Sequence, residues 1–226
     1  MRQEERPREP ERDCPLCPRL AAFRAASRQR EPGWHNAPVP SFGPMDARLL
    51  VVGLAPGLKG ANRTGRPFTG DYAGDLLYAT LAKFGFAKGN YEQRADDGLR
   101  LIDCRIANAV RCVPPENKPT PAEIALCRPF LASEITGLKQ LKMIMALGSI
   151  ANGSVLAALG QRASRHPFKH GAIHEMPGGL LLADSYHCSR YNTNTRRLTT
   201  EMFEAVVGEL RRRLGGGAQP SAVPRP

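Results

Sequence analysis

The sequence predicts a single three-layer α/β/α domain built on a mostly parallel, four-stranded sheet. Three observations carry that prediction. Short apolar runs alternate with helix-like segments, the order that lays helices on both faces of a parallel sheet. The runs are continuous rather than alternating, as expected of strands covered on both sides. Clusters of Gly, Pro, Asn and Ser follow the runs directly and read as turns.

Residues 1–13, MRQEERPREPERD, are charged and Pro-bearing and predict a disordered arm. The domain is expected over residues 14–214, and the tail 215–226, GGGAQPSAVPRP, reads as disordered again. Pro18–Arg30 is rich in Ala and Arg and reads as a helix. Leu49–Leu54, LLVVGL, is the first buried strand. Asp71–Phe84 reads as a helix with Leu76, Leu77, Thr80, Leu81 and Phe84 on one face. Leu101–Val110 is the second strand. Thr120–Leu138 opens T-P-A-E, which joins a proline at the first helical position to a capping box. Pro129 inside it predicts a kink or a break. Lys142–Leu147, KMIMAL, is the third strand, followed by a helix over Gly148–Leu159 with Gly160 suited to its C-cap. Leu180–Asp184 is the fourth strand, and Thr195–Leu214 closes the domain as a helix.

The chain has 226 residues and a formal net charge of +11, which favours a polyanionic partner, nucleic acid first. The first 13 residues hold four Arg against five acids, so the excess belongs to the rest. No secretory signal and no apolar run of about 18 residues is present, which predicts a reducing, cytoplasmic setting. There the six cysteines are expected as ligands or buried thiols rather than disulfides. Cys14 and Cys17 form C-P-L-C, and Cys112 and Cys127 flank a Pro-rich stretch. Two close thiolates and two distant ones complete a four-thiolate shell, which an iron–sulfur cluster and a structural zinc both accept. Cys104 reads as a small core residue, and Cys188 as a neighbour of the site rather than a nucleophile.

In a parallel sheet ligands bind beyond the carboxyl ends of the strands, and the unusual motifs fall there. Gly53-Leu54-Ala55-Pro56-Gly57 follows the first strand. It differs from a phosphate loop in spacing, and reads either as a bare backbone approached closely by a ligand or as an ordinary turn. In N-R-T-G-R-P-F-T-G-D, Phe68 is either one wall of a flat pocket or core packing. Asp71 is either a chemical base or the N-cap of the next helix. Asn108 ends the second strand, where its amide matches the donor and acceptor edge of a pyrimidine, unless it simply satisfies the strand end. His187 ends the fourth strand as a candidate imidazole donor. Ser189, Arg190, Tyr191 and Asn192 after it suit phosphate or groove contacts.

Taken together, GLAPG at 53–57, RTGRPFTGD at 63–71, NAVRCVPPENKPTP at 108–121 and SYHCSRYNTNT at 185–195 resemble the uracil-DNA glycosylase superfamily. The resemblance covers about residues 13 to 213 and is to the iron–sulfur branch called family 5, or type b. It implies excision of uracil from single- or double-stranded DNA by base flipping, and of other deaminated bases such as hypoxanthine. It implies a [4Fe–4S] cluster on Cys14, Cys17, Cys112 and Cys127. It also implies that Gly53–Gly57 is the first active-site motif, that Phe68 stacks on the flipped base, that Asn108 reads its edge, and that His187 faces uracil O2. A nucleoid-associated monomer is expected. The first motif departs from families that carry a carboxylate or Asn there, because Leu54-Ala55-Pro56 has no polar side chain. The nearby replacements for the water-assisting role are Asp71, Asn62 and Asp75, with Asp71 first because it is ionisable and follows the Phe motif, and Asn62 as a residue able to hold a water though not a strong base. The competing reading is a non-catalytic, zinc-containing nucleic-acid-binding protein.

Overall fold

The computed structural model describes residues 6–215. Residues 1–5 and 216–226, where part of the arm and nearly all of the tail were expected, lie outside the described residues. In chain order the elements are α1 (Pro18–Arg30), β1 (Leu49–Gly53), α2 (Ala61–Thr64), α3 (Tyr72–Lys83), β2 (Ala87–Lys88), β3 (Arg100–Leu101) and β4 (Cys104–Asn108). Then come α4 (Pro121–Gly137), β5 (Met143–Leu147), α5 (Ser149–Ala158), β6 (Ile173–Glu175), β7 (Leu181–Ser185), α6 (Arg190–Asn194) and α7 (Thr200–Arg213).

The main sheet has five strands in the order β4-β1-β5-β7-β6. The first four are parallel, in register Leu49↔Cys104, Leu49↔Met143 and Met143↔Leu181. β6 adds an antiparallel edge against β7. The expected count of four strands therefore rises to five, because the three residues Ile-His-Glu of β6 form no apolar run. A small hairpin of β2 and β3 was also not expected. The left-handed Asp103, at φ 55°, separates β3 from β4 and cuts the long strand expected over 101–110.

Alternation along β1 divides the core. Leu49 and Val51 pack with Leu77, Leu81, Phe203 and Val207 of α3 and α7. Leu50 and Val52 pack with Leu131, Ile135 and Val155 of α4 and α5. These two covered faces explain the unbroken apolar strands. A third cluster joins Leu20 of α1 to Val110, Cys112, Cys127 and Phe130.

Local chemistry sets the helix ends. The Thr120 hydroxyl accepts from the Glu123 N–H at 3.3 Å, and Glu123 Oε2 accepts from the Thr120 N–H at 2.8 Å, completing the expected capping box. Pro129 does not break α4. Cys127, Phe130, Leu131 and Glu134 are buried around it, and that packing holds the helix across the missing N–H. The last helix begins at Thr200 rather than Thr195, since Arg196 is left-handed and Thr199 supplies the cap to the Met202 N–H at 3.2 Å.

Residues 6–13 correct the expectation of a disordered arm where they are described. The Arg8 N–H donates to Ser133 Oγ at 2.8 Å, Glu9 pairs with Arg111 at 3.3 Å, and Asp13 pairs with Arg28. Arg111 itself is fully buried and pairs with Glu134 at 3.1 Å.

A second buried ion pair supports the segment between α2 and α3. Arg66 makes two bonds of 2.7 Å to the Asp97 carboxylate, and both side chains are almost fully buried. Burial alone would raise the Asp97 carboxyl, but Arg66 and the N–H groups of Glu92 and Leu99 outweigh it and hold the group well below the usual range. Asp97→Ala would leave the Arg66 guanidinium buried and unpaired. The expected loss is about 3–5 kcal/mol in denaturant unfolding, and a loss under about 1 kcal/mol would show that the pair behaves as an exposed one.

Candidate active site

A cleft of about 560 Å³ opens at the carboxyl edge of the sheet, within the roughly 300–1,000 Å³ usual for small-molecule sites. Leu54 to Ala61 form one side of it, and Phe68, Asp71, Asn108, His187, Ser189 and Arg190 complete much of the rest. The ends of β1, β4 and β7 thus bring together motifs far apart in the chain.

Gly53 makes the arrangement possible. A Cβ there would stand 2.5 Å from Asn108 Oδ1 and 2.5 Å from Phe68 Cζ. The bare backbone admits both side chains at once. Phe68 adopts φ 53°, a left-handed conformation that bulky residues avoid. Its carbonyl accepts from the Tyr91 hydroxyl at 3.0 Å, and the Pro67 carbonyl accepts from the Tyr78 hydroxyl at 2.6 Å. The Arg66 guanidinium lies 5.5 Å from the centre of the Tyr78 ring and 5.8 Å from that of Tyr91. This packed support holds the strained turn, and with it the ring.

The Phe68 and His187 rings lie 5.8 Å apart and tilted by 32°. Burial pushes His187 down to about 4, so its imidazole is neutral near pH 7. Its residue surface is only half-buried, because one side opens on the cleft while protein surrounds the rest. Asn108 is buried, and its Oδ1 has no partner among the described residues.

Asp71 stands at the N-cap position of α3, yet its carboxylate makes no capping bond. It packs instead on the Gly60 backbone, where a Cβ would come within 2.3 Å of Oδ2. Burial raises its pKa, opposed by the nearby Gly74 and Ala73 N–H groups. Its Oδ1 is buried without a partner. Asn62 is placed differently. Its Nδ2 donates to Asn36 Oδ1 at 2.8 Å behind the loop, and it does not line the cleft.

The segment after β7 divides. Ser189 Oγ accepts from the Asn192 N–H at 3.4 Å, and Asn192 Nδ2 donates to the His187 carbonyl at 2.8 Å. Those two side chains shape the turn. Arg190 and Tyr191 are exposed, and the Arg190 guanidinium lies 5.2 Å from the Tyr72 ring centre across the cleft mouth. Tyr72, Lys59 and Asn117 line the cleft without having been expected there. The usable signal for Asn117 was a Pro-rich turn just after a strand end; it is left-handed, at φ 57°.

Cys14, Cys17, Cys112 and Cys127 line one small cavity with Pro10, Leu20, Arg24 and Phe130. Arg24 Nη1 donates to Cys112 Sγ at 3.4 Å, and the Arg111 N–H donates to Cys127 Sγ at 3.4 Å. Burial pushes Cys112 up to about 12 and Cys127 up to about 11. Among the described residues, no three His, Cys, Asp or Glu side chains group tightly enough for a single metal ion. The donor set still fits a thiolate-bound cluster, with N–H donors already directed at two sulfurs. Cys104 and Cys188 are fully buried in the core.

Fold and cleft define an α/β protein with a flat pocket at the carboxyl ends of its strands, walled by an aromatic ring, a neutral imidazole and an unpartnered amide. The family model described as uracil DNA glycosylase superfamily matches residues 40–211. A type-5 uracil-DNA glycosylase of Thermus thermophilus is 48% identical over 89% of this chain and 94% of its own length. Those of Mycobacterium tuberculosis and Pyrobaculum aerophilum are 41% and 39% identical, covering 89% and 86% of this chain and 78% and 86% of their own. The chain belongs to the uracil DNA glycosylase superfamily.

Gly53→Ala tests the cleft directly. The added methyl must displace Phe68 or Asn108, with an expected cost of about 1–3 kcal/mol in unfolding free energy. An unchanged melting temperature together with unchanged base binding would show that the two side chains do not depend on this close approach.

Proposed function

We propose that this chain is a monofunctional uracil-DNA glycosylase of the type-5 kind, hydrolysing the N-glycosidic bond of uracil, and of other deaminated bases such as hypoxanthine, in DNA. One observation carries the reading: a neutral His187 stands beside Phe68 in the lining of a cleft at the sheet edge, in a chain of this family. The relatives are glycosylases by name, which leaves the non-catalytic zinc-binding alternative without support.

A base stacked in a duplex cannot reach such a cleft, so the nucleotide must flip out, at a cost on the order of a few kcal/mol that mispairing lowers. Phe68 stacks on the flipped base, worth about 1–3 kcal/mol. Asn108 pairs with its edge. The amide can be turned either way to match donor and acceptor.

When the bond from sugar C1′ to base N1 breaks, the electron pair goes to the base and spreads to O2. The sugar becomes cation-like. A neutral imidazole N–H of His187 at O2 strengthens as that charge grows, and backbone N–H groups of the 53–57 loop can add to it. One such donor is worth roughly 3–4 kcal/mol. Water then attacks C1′ and gives up a proton. Asp71 is the acceptor or water-holder we favour, since its carboxylate borders the cleft and has an unpartnered oxygen. Asn62 is the weaker choice, being tied to Asn36 behind the loop. Arg190 and Tyr191 meet the DNA, while Ser189 and Asn192 hold the turn that presents them.

Cys14, Cys17, Cys112 and Cys127 would hold a [4Fe–4S] cluster, which when bound supplies a covalent node between α1, the end of β4 and α4. Arg24 and the Arg111 N–H offset the negative charge of the thiolates. We assign it no part in bond breaking. No helix among the described residues is long and apolar enough to cross a membrane. A cytoplasmic, nucleoid-associated monomer acting on single- and double-stranded DNA fits the charge and the family.

Oligonucleotides bearing uracil, followed by alkaline cleavage, test the reaction. The wild-type protein should yield an abasic, alkali-labile strand, and its absence would sink the proposal. His187→Ala should slow single-turnover excision by about a hundredfold or more, with little change in DNA affinity. Asp71→Asn should also slow it; near-normal excision would return Asp71 to a packing role against Gly60.

The cysteine assignment has its own readout. Anaerobically prepared protein should absorb near about 400 nm, as iron–sulfur clusters do, and Cys127→Ala should lose that absorbance and melt at lower temperature. A colourless anaerobic preparation with one equivalent of zinc would reject the cluster.

A further inference from the structure

Between Gly160 and Leu198 the chain carries six Lys or Arg against only Glu175 and Asp184. None of Arg162, Arg165, Lys169, Arg196 or Arg197 makes a salt bridge among the described residues, and all five are exposed. Many arginines elsewhere are paired with carboxylates, as Arg66 is with Asp97 and Arg111 with Glu134, and what sets this segment apart is the number of unpaired cations in one stretch. The topology puts Lys169 at the same end of the sheet as the cleft. β6 runs antiparallel to β7 with Ile173 opposite Ala183, so the loop before β6 lies at the carboxyl end of the sheet.

That loop is pinned. The Lys169 N–H donates to the buried Asp184 carboxylate at 3.1 Å, and the Gly171 N–H donates to the Asp184 carbonyl at 2.8 Å. Tyr186, the residue before His187, donates its N–H to His170 Nδ1 at 3.1 Å. The His170 ring stacks on the Tyr186 ring at 5.0 Å with 10° between planes. The Arg197 guanidinium lies 4.8 Å from the centre of the same ring. An arginine fixed by stacking rather than by a carboxylate keeps its charge free for an outside anion.

We propose that Lys169, its backbone tied to Asp184, and Arg197, stacked on Tyr186, form a platform for the phosphates of the duplex on one flank of the flipped nucleotide. The inference rests on the cleft being the base pocket. It places the DNA contacts asymmetrically, with Arg190 at the cleft mouth and the platform beyond Tyr186.

The test measures binding to a uracil-free duplex against salt concentration for wild type, Lys169→Gln/Arg197→Gln, and Lys139→Gln/Lys142→Gln. The last pair removes equal charge from the opposite, amino end of β5. The platform variant should bind more weakly, with a salt slope lower by about 0.9 for each lost phosphate contact. It should also become indifferent to trimming the one flank whose removal weakens wild type. An unchanged slope in the platform variant, or an equal fall in the amino-end variant, would overturn the proposal. Lys169→Gln alone, at an exposed side chain, serves if the double variant does not fold. Failure of the wild-type protein to release uracil would overturn the proposed function, and is read separately from these slopes.

Discussion

The cleft depends on the absence of one side chain. β1 ends at a residue with no Cβ, and into that gap come the ring of Phe68 and the amide of Asn108. Each belongs to a different segment, and neither could be moved aside without losing the pocket wall it forms. The rest of the site is arranged around that contact. The neighbouring glycines do related work for Asp71, whose carboxylate lies on the Gly60 backbone and close to Gly57. A polar group is thereby brought to a cleft wall that is otherwise apolar along Leu54-Ala55-Pro56.

Holding an aromatic residue in a left-handed conformation costs about 1–3 kcal/mol. The turn around Phe68 meets that cost through buried partners. Two tyrosine hydroxyls hold successive carbonyls, and Arg66 sits among Phe42, Tyr78 and Tyr91 while bonding Asp97 in two places. Rigidity here matters more than affinity for any one atom. On the proposed function, a stacking wall that could turn would accept many bases and hold none in line for bond breaking.

Much of this was legible in the residues. The continuous runs at Leu49, Lys142 and Leu180 announced buried parallel strands, and GLAPG, Asn108 and His187 each stand at a strand end. The capping box at Thr120 was readable from four letters. What stayed hidden is tertiary. The β6 edge is too short to show a period. Nothing local marks Tyr91, Tyr78 or Asp97 as props for Phe68, since the tyrosines act on carbonyls, and Asp97 on the Arg66 side chain, distant in sequence. Asn62 looked like a water-holder by its neighbourhood, and only the packing tied it to Asn36. The arm was misjudged over residues 6–13 because a charged segment without apolar runs can still pack, through ion pairs and backbone bonds to α1, α4 and the β4 end.

The four-cysteine cavity has a consequence for the order of folding. Arg24 and Cys112, which touch there, are 88 positions apart. The first cysteine pair leaves the ribosome early, but its partners lie beyond β4 and within α4. They meet only after β4 has paired with β1, a parallel pairing that needs a long crossover and forms slowly. Insertion of the proposed cluster would therefore be a late event that reports on a completed sheet.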